Sequence, residues 1–342
     1  TGCDLGIANL ENPLTCNGQK VPGKCTLHGD PGWAAVLKES GINLVSLANN
    51  HMMDYGCQGL FDTVDALDSA GIRHLGAGKN RDAACAPLFL SIKGKKLAFL
   101  ARSSVIVSSP SYAGPSTPGV AFLDTEELID KIRRCRDQAD RVIVILHWGL
   151  EEYFYPAPAQ VNLAGRIVAA GADAIIGHHP HVLQGIQRKG NALVAYSLGN
   201  FLFDDFSWNA GGEEDKSMIF TLSESNRKGM ILKMSWDEAD RLEYSKVYTR
   251  INDDGRIAVD HSGDRDKEFK TLSEGMGRPL YAYRWRLHAI GREWNLRVKH
   301  AIKPARVMKN IRKIRPRHIK EFVRSLKKSA DIAGEKSTNP YD

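Results

Sequence analysis

The sequence lacks the patterns that define several classes of protein. No apolar run approaches the roughly 18–20 residues that a membrane-spanning helix needs. The six cysteines form no Cys-x-x-Cys pair, which argues against a zinc ribbon or a thioredoxin-like redox site. No internal repeat is visible. With 342 residues, the chain has enough material for a buried core in one large domain or two.

A secretory signal is also missing, but the sequence begins with Thr1 rather than Met. The residues before Thr1 therefore decide where the protein is found. An anchor there predicts association with the cell envelope, and otherwise we expect a cytoplasmic protein. Cys16 and Cys25 flank a loop with glycine and proline and would pair in an oxidising compartment, although free thiols are the default expectation.

Acidic residues are scarce in one part of the chain only. Residues 281–328 contain sixteen Lys and Arg but two acidic residues, whereas residues 1–280 contain thirty and thirty-five. The sequence therefore predicts a mildly acidic body with a strongly basic extension. The expected boundaries are residues 1–251 for the main domain, 252–280 for a polar linker, 281–329 for a basic amphipathic helical extension and 330–342 for a tail.

Short β-branched runs alternate with helical patterns in the main domain. The predicted helices are residues 33–40, 59–70, 125–137 and 160–170, and Gly41, Gly71 and Gly171 are expected to end three of them. The predicted strands are residues 5–8, 44–47, 97–100, 142–146, 174–176 and 193–196. This alternation favours an α/β layered domain with a largely parallel central sheet. Later, residues 216–222, 229–236 and 242–251 predict an antiparallel meander.

Three histidines follow the predicted strand at 174–176, which Gly177 is expected to end. His178, His179 and His181 should therefore lie at the carboxyl edge of the sheet, where open α/β sheets tend to bind ligands. Neutral imidazole is the commonest metal ligand in proteins, and a His-x-His pair presents two of them compactly. The pattern indicates one side of a metal site.

Four other polar motifs follow predicted strands in the same way. Taken singly, each has an ordinary interpretation as a solvated turn residue, a helix cap or a buried core histidine. Because hard oxygen and borderline nitrogen ligands recur at five strand ends, we predict that they share one divalent-metal site. In chain order, the motifs contain Glu11, then Asn50 and His51 with Asp54 close by, then His147 with Glu151 close by, and then Asn200.

Six sequence runs within residues 4–225 together form a recognisable pattern. They are IANLENPLT (7–15), VSLANNHMMDYG (45–56), HLGAGKN (74–80), VIVILHWGLEE (142–152), GADAIIGHHPHVLQGI (171–186) and YSLGNFLF (196–203). In this order they resemble the bacterial capsule-synthesis CapA family, which is associated with poly-γ-glutamate capsule production and belongs to the calcineurin-like metallophosphoesterase superfamily. The resemblance implies a four-layer α-β-β-α sandwich and two divalent ions, which are not distinguished among Mn, Fe, Zn and Mg.

The resemblance also implies roles for the candidate residues. His51 would donate a proton to the leaving group or stabilise its charge, and Asp54 would either orient His51 or cap a helix. His178 is an alternative member of the closing His-x-His pair, and Asn200 and Glu151 are further candidates. The implied metal ligands are Glu11, Asn50, His147, His179 and His181.

One family feature is missing from the sequence. Members usually open with a Gly-Asp strand whose Asp is a first metal ligand, but this chain begins Thr1-Gly2-Cys3-Asp4, and Asp4 matches a later family position. Either that strand lies upstream of Thr1, or the chain has lost one ligand. In the second case we expect weaker metal binding, a single ion and one strand fewer in the sheet.

Two functions fit the resemblance. The first is a metal-dependent phosphoesterase-type hydrolase of capsule or poly-γ-glutamate biosynthesis, acting on a phosphoester or an anionic polymer. The alternative is a non-catalytic component that binds polymer or assembles a capsule synthesis and export complex with other proteins. Fold similarity alone does not transfer a substrate, so the sequence leaves both open.

The basic extension alternates Arg and Lys with apolar residues, and Pro304 and Pro316 divide it into two or three short amphipathic helices. These helices either pack on the main domain or attach to an anionic surface, which would be lipid headgroups or an acidic polymer. Nucleic acid is electrostatically suitable but has no supporting motif. The candidate contacts to a membrane or polymer are Arg312, Lys313, Arg315 and Arg317.

Overall fold

A computed structural model describes residues 2–105, 111–209, 217–276 and 279–301. The helices are α1 (Trp33–Glu39), α2 (Gly56–Ser69), α3 (Arg81–Ala84), α4 (Thr125–Arg136), α5 (Pro158–Ala169), α6 (Asp264–Gly275) and α7 (Tyr281–Ala301). The strands are β1 (Ile7–Asn9), β2 (Leu44–Ser46), β3 (Arg73–Leu75), β4 (Ala77–Gly78), β5 (Leu88–Ile92), β6 (Lys95–Ser103), β7 (Gly119–Val120), β8 (Arg141–His147), β9 (Ala174–His178), β10 (Ile186–Lys189), β11 (Ala192–Ala195), β12 (Phe206–Asn209), β13 (Ser217–Phe220), β14 (Lys228–Trp236), β15 (Leu242–Ile251) and β16 (Ile257–Val259).

Two sheets with parallel strands form the centre of the fold. The first sheet has the order β1-β2-β3, and all its strands are parallel. The second has the order β10-β11-β9-β8-β6-β5, in which β11, β9, β8 and β6 are parallel and the two edge strands run antiparallel. The predicted parallel α/β arrangement is therefore confirmed.

The two sheets pack face to face between two layers of helices. Leu44 and Leu75 of the first sheet meet Phe99 and Ile145 of the second in a shared apolar core. Because neighbouring residues of a strand point to opposite faces, Val45 instead packs against the α2 side. The outer face of the second sheet packs against α4 and α5 in the same way. This arrangement is the expected four-layer α-β-β-α sandwich.

The helices end where the sequence predicts. Gly41, Gly71 and Gly171 follow α1, α2 and α5 with φ angles of +89°, +66° and +115°. Glycine enters this left-handed region without the steric cost that a side chain carries, which makes it the common residue after a helix. Each glycine turns the chain back toward the next parallel strand, so the following polar segment returns to the same sheet edge.

The part of the chain after β11 differs from expectation in two places. Strand β13 pairs with β12 rather than with β14, so the antiparallel meander consists of β14, β15 and β16. Residues 252–280, predicted as a polar linker, instead contain β16 and α6. Phe269 and Leu272 on α6 are buried, and Phe269 packs on Ile186 and Met230. Because Phe269 and Leu272 are three residues apart, they lie on one face of the helix and bury it, although the segment is polar overall.

The basic extension begins as helix α7, which packs on the loop after β8 through Tyr281 and Trp285. Arg312, Lys313, Arg315 and Arg317 lie outside the described residues, so their predicted contacts stay predictions. Within the described ranges, no helix combines the length and apolar character that crossing a bilayer requires. Cys16 and Cys25 are both free thiols in the structure.

Candidate metal centre

The site lies where the carboxyl edges of the two sheets meet. Strands β1 and β2 are parallel in the first sheet, and strands β8, β9 and β11 are parallel in the second, so the segments that follow them emerge at the carboxyl edges. The structure brings together five candidate residues there, two from the first sheet and three from the second. They are Glu11, Asn50, His147, His179 and His181.

Glu11 connects the two halves of the site. Its Oε1 atom lies 3.4 Å from Nε2 of His147 and 3.5 Å from Nε2 of His181. The ligand atoms of Glu11, His179 and His181 all lie within 4.8 Å of one another. On the other side, Oδ1 of Asn50 lies 2.7 Å from Nε2 of His147. One carboxylate, one amide oxygen and three imidazoles therefore converge.

Several polar atoms of this cluster are buried without a hydrogen-bond partner. They include Oε1 of Glu11, Nδ1 of His147 and Nδ1 of His179. Leaving a buried polar group unpaired costs roughly 1–3 kcal/mol, and such sites call for an explanation such as an ion. Mixed oxygen and imidazole donors suit borderline divalent metals. The residues present therefore fit a divalent cation.

Burial keeps the histidines of the site in the form that binds metal. Burial is the main cause that lowers the pKa of His147 well below its usual value, and His179 adds to the effect. Burial, with smaller contributions from His181 and His51, lowers the pKa of His179 to about 3. Burial alone lowers the pKa of His178 to about 4. At neutral pH these imidazoles are uncharged, and neutral imidazole is the ligand form.

Asn200 contacts the ring nitrogen of His181 that does not face Glu11. Its Oδ1 atom is 2.9 Å from Nδ1 of His181, while its Nδ2 donates to the carbonyl of Asn226 at 2.9 Å. Because the donation to Asn226 fixes the amide orientation, Oδ1 must accept a hydrogen bond from the N–H of Nδ1 of His181. The other ring nitrogen, Nε2, then carries a lone pair on the side of Glu11. Asn200 orients a candidate ligand rather than joining the cluster itself.

The backbone of the histidine segment is strained. His179 and His181 have φ angles of +96° and +57°, a region that costs roughly 1–3 kcal/mol for residues other than glycine. The backbone N–H of Glu152 donates to the carbonyl of Pro180 at 2.7 Å and supports the turn. Strain of this kind persists only where the surroundings enforce it, and it clusters at functional sites.

Gly177 does not end the strand as predicted, because β9 continues to His178. A Cβ atom at this position would lie 2.0 Å from the carbonyl oxygen of Tyr196 and 2.5 Å from Nε1 of Trp148. The glycine is therefore required for close packing of β9 against Tyr196 and Trp148, which follow the neighbouring strands β11 and β8. The chain leaves the sheet one residue later, which places His179 and His181 beyond the edge.

His51 and Asp54 form a pair beside the cluster. Nδ1 of His51 lies 2.8 Å from Oδ2 of Asp54, whose carboxylate is fully buried. The backbone N–H of Leu27 also donates to Oδ2, at 2.6 Å. Helix α2 has Tyr55 at its N-cap and no side-chain cap. Asp54 therefore contacts His51, as the first of the two expected roles requires, and does not cap the helix.

Two further candidates lie apart from the cluster. His178 is the last residue of β9, paired with His147 in the sheet, and its carbonyl accepts from the N–H of Trp148 at 3.1 Å. Glu151 is exposed, and its charge is one of the smaller causes that raise the pKa of the Cys25 thiol. Neither belongs to the group of three residues with converging ligand atoms.

Four further residues support the site and were not predicted from the sequence. Asn9 donates from Nδ2 to Oε2 of Glu11 at 3.1 Å, and Asn49 donates to the carbonyl of Leu10 at 2.8 Å. Both lie inside motifs that the sequence analysis identified, so their positions could have indicated a role at the site. Asn226 donates to the carbonyl of His181, and Lys24 donates to the carbonyl of Asn50. Both lie in loops outside the recognised motifs, so no motif or spacing in the sequence predicts these contacts.

Comparison with known proteins adds the family context. Residues 1–205 match the family described as bacterial capsule synthesis protein PGA_cap. The capsule biosynthesis protein CapA of Bacillus anthracis is 36% identical over 209 residues, which are 59% of this chain and 51% of that protein. The PGA biosynthesis protein CapA of Bacillus subtilis strain 168 is 37% identical over 205 residues, 59% of this chain and 53% of that protein. The chain spans about half the length of these curated relatives.

Solved structures are more distant. A phosphatase from Mycoplasma pneumoniae aligns over 77% of this chain and 85% of its own, with a TM-score of 0.44 and 14% sequence identity. That likeness is too weak to support an argument about activity. The contacts within the site carry the chemical argument instead.

Proposed function

The chain belongs to the bacterial capsule synthesis protein PGA_cap family, and on that premise we propose that it is a metal-dependent phosphoesterase-type hydrolase of poly-γ-glutamate capsule biosynthesis. One observation carries the proposal. Oε1 of Glu11 is buried without a hydrogen-bond donor, 3.4 Å and 3.5 Å from Nε2 of His147 and His181. A carboxylate oxygen among neutral imidazoles is the donor arrangement of a divalent-metal site.

The proposed ligands divide between the two sheets. Glu11 and Asn50 supply oxygen atoms from the first sheet, and His147, His179 and His181 supply imidazole nitrogens from the second. Two ions are the expected number. A bound divalent cation lowers the pKa of a coordinated water and stabilises negative charge that develops on a phosphoryl oxygen.

His51 is the proposed general acid. Because the N–H of Nδ1 donates a hydrogen bond to Asp54, the Nε2 atom of His51 is the nitrogen that can exchange a proton with the leaving group. The side chain of His51 is 14% exposed, whereas Asp54 is fully buried. The pair therefore has one partner fixed in the protein and one at the accessible surface, which suits proton delivery to a substrate.

The biological context of the proposal comes from the family. The names of the two Bacillus relatives refer to capsule and PGA biosynthesis. We therefore propose that the substrate is a phosphoester or an anionic polymer met in capsule synthesis, and that capsule-synthesis proteins are partners. The basic extension at 281–329 is proposed to contact an anionic surface, either lipid headgroups or acidic polymer.

Turnover of a generic phosphodiester tests the catalytic claim. We expect the Mn²⁺-loaded protein to hydrolyse bis-p-nitrophenyl phosphate, and His51→Ala to lower kcat by about 10²–10⁴-fold. His261→Ala is the matched control, because His261 is an exposed histidine outside the site. Metal binding without turnover in the wild type would instead favour a non-catalytic assembly component.

A further inference from the structure

A buried lysine, Lys24, contacts the turn from Asn50 to Asp54, which follows β2 and contains His51. Lys24 belongs to the loop between β1 and α1, and only 3% of its side chain is exposed. Burying an ammonium group is costly unless it is paired and hydrogen-bonded. The partners of Lys24 include two groups of the turn after β2. Its Nζ donates to the carbonyl of Asn50 at 2.7 Å and forms an ion pair with Oδ1 of Asp54.

The carboxylate of Asp54 is shared between two tasks. Its Oδ1 atom faces Lys24, while Oδ2 faces Nδ1 of His51 and the backbone N–H of Leu27. The same loop is anchored a second time, since the N–H of Val21 donates to the carbonyl of Asp54 at 2.9 Å. One ammonium group therefore joins both ends of the turn from Asn50 to Asp54.

Each end of this turn serves the site in a different way. Asn50 brings its Oδ1 atom to 2.7 Å from Nε2 of His147, on the side of the metal ligands. Asp54 holds His51, the proposed general acid. A side chain that contacts both ends controls the position of the ligand and of the acid together.

We propose that Lys24 is a positioning residue that sets the metal affinity of the site and the placement of His51 through a single buried ammonium group. The inference rests on the proposed metal-dependent function. A purely structural ion pair would stabilise the loop without altering metal binding. The position of Asn50 between Lys24 and His147 instead links the ammonium group to the ligand cluster.

Mn²⁺ affinity, measured by isothermal titration calorimetry on metal-stripped protein, separates these roles. Lys24→Met keeps a stem of similar length and removes the donor. We expect it to weaken Mn²⁺ binding by about 10–100-fold, the usual effect of removing an outer partner of a metal ligand. Lys20→Met is the matched control, because Lys20 is an exposed lysine on the same loop. Its affinity should equal that of the wild type.

Chemical rescue adds a measurement that a folding defect cannot imitate. Lys24→Ala removes three methylene carbons and the amine, which are the atoms of propylammonium. We expect propylammonium to restore Mn²⁺ affinity to this variant, whereas 1-propanol, of the same size and uncharged, should not. Far-UV circular dichroism would verify that each variant is folded.

The outcomes separate this inference from the proposed function. Wild-type protein that binds no Mn²⁺ would overturn both. Wild-type binding together with unchanged affinity in Lys24→Met would overturn the role of Lys24 and leave the metal site intact. Equal rescue by propylammonium and 1-propanol would show that Lys24 acts by filling space, which also contradicts the proposal.

Discussion

His181 and Asn200 are joined by a hydrogen bond of 2.9 Å between Nδ1 and Oδ1, and this bond determines which imidazole nitrogen faces Glu11. Asn200 in turn donates to the carbonyl of Asn226, and Asn226 donates from Nδ2 to the carbonyl of His181 at 3.1 Å. The two asparagines therefore hold both the ring and the backbone of His181. A positive φ at His181 makes this support necessary.

Removing Asn200 should weaken metal binding without removing a ligand. Asn200→Ala frees the ring of His181 to rotate and to change tautomer, so we expect an affinity loss of about 10–100-fold for Mn²⁺. Titration calorimetry measures the change. Asn191→Ala, at an exposed turn between β10 and β11, serves as the control. Equal affinity in Asn200→Ala and the wild type would contradict the orienting role.

Glu11→Gln should separate stability from metal binding. In metal-free protein, Oε1 of Glu11 has no donor, whereas a glutamine amide can donate to the neighbouring imidazoles. We expect the free energy of unfolding without metal to rise by about 1 kcal/mol, because an unpaired buried acceptor is removed. Urea denaturation measures this quantity.

The same variant should lose its response to metal. A ligand at 100 times its Kd stabilises the folded state by about 2.7 kcal/mol, and this stabilisation disappears with the binding site. Thermal unfolding with Mn²⁺ or with EDTA should therefore differ in the wild type and coincide in Glu11→Gln. A variant that is less stable than the wild type without metal would count against this account of Glu11.

Lys24 and Asp54 should be strongly coupled in stability. Asp54→Asn leaves the buried ammonium group of Lys24 without its counter-charge, and breaking a buried pair from one side costs about 3–5 kcal/mol. The double variant Lys24→Met, Asp54→Asn lacks that uncompensated charge. We expect it to be less destabilised than the sum of the two single variants. Strict additivity in urea denaturation would show that the pair is not coupled.

Helix α7 should support the metal site from a distance. Trp285 is buried, donates from Nε1 to the carbonyl of Tyr155 at 3.0 Å and stacks on Tyr153. The same loop supplies the N–H of Glu152 that holds Pro180, between the two histidines. Trp285→Ala should therefore cost about 3–5 kcal/mol of stability and also weaken Mn²⁺ binding.

A matched aromatic on α7 distinguishes a local effect from a general one. Tyr283 is 59% exposed, so Tyr283→Ala should change neither stability nor Mn²⁺ affinity. Urea denaturation and titration calorimetry on both variants test the pair. If Trp285→Ala lost stability but kept full affinity, the loop would not transmit the packing of α7 to the site.

Much of the fold follows from local patterns. Residues 142–146 are apolar without interruption and form the centre of the fully buried β8, as expected for a parallel strand covered on both faces. Helix α6 was not predicted, because its segment is polar overall and only Phe269 and Leu272 reveal its buried face. Strand β13 pairs with β12, which precedes it in the chain, rather than with β14, which follows it. Period-two alternation indicates a strand but does not identify its partner.

The candidate site was predictable to the extent that it depends on strand ends. Because parallel strands end at one edge, the polar residues that follow them were expected to meet, and Glu11 does lie beside His147 and His181. The separation of His178 from the cluster depends on where β9 ends and on the left-handed backbone at His179. Lys24 reaches the site from a loop, where sequence spacing carries no information on contacts.

If Glu11, Asn50, His147, His179 and His181 hold a divalent metal, metal analysis of the purified protein should detect it. Elemental mass spectrometry should detect bound Mn, Fe, Zn or Mg in the wild type and in the control His261→Ala. The variants His179→Ala and His181→Ala should lose this metal. Negligible metal in the wild type after Mn²⁺ loading, or unchanged content in both histidine variants, would contradict this prediction.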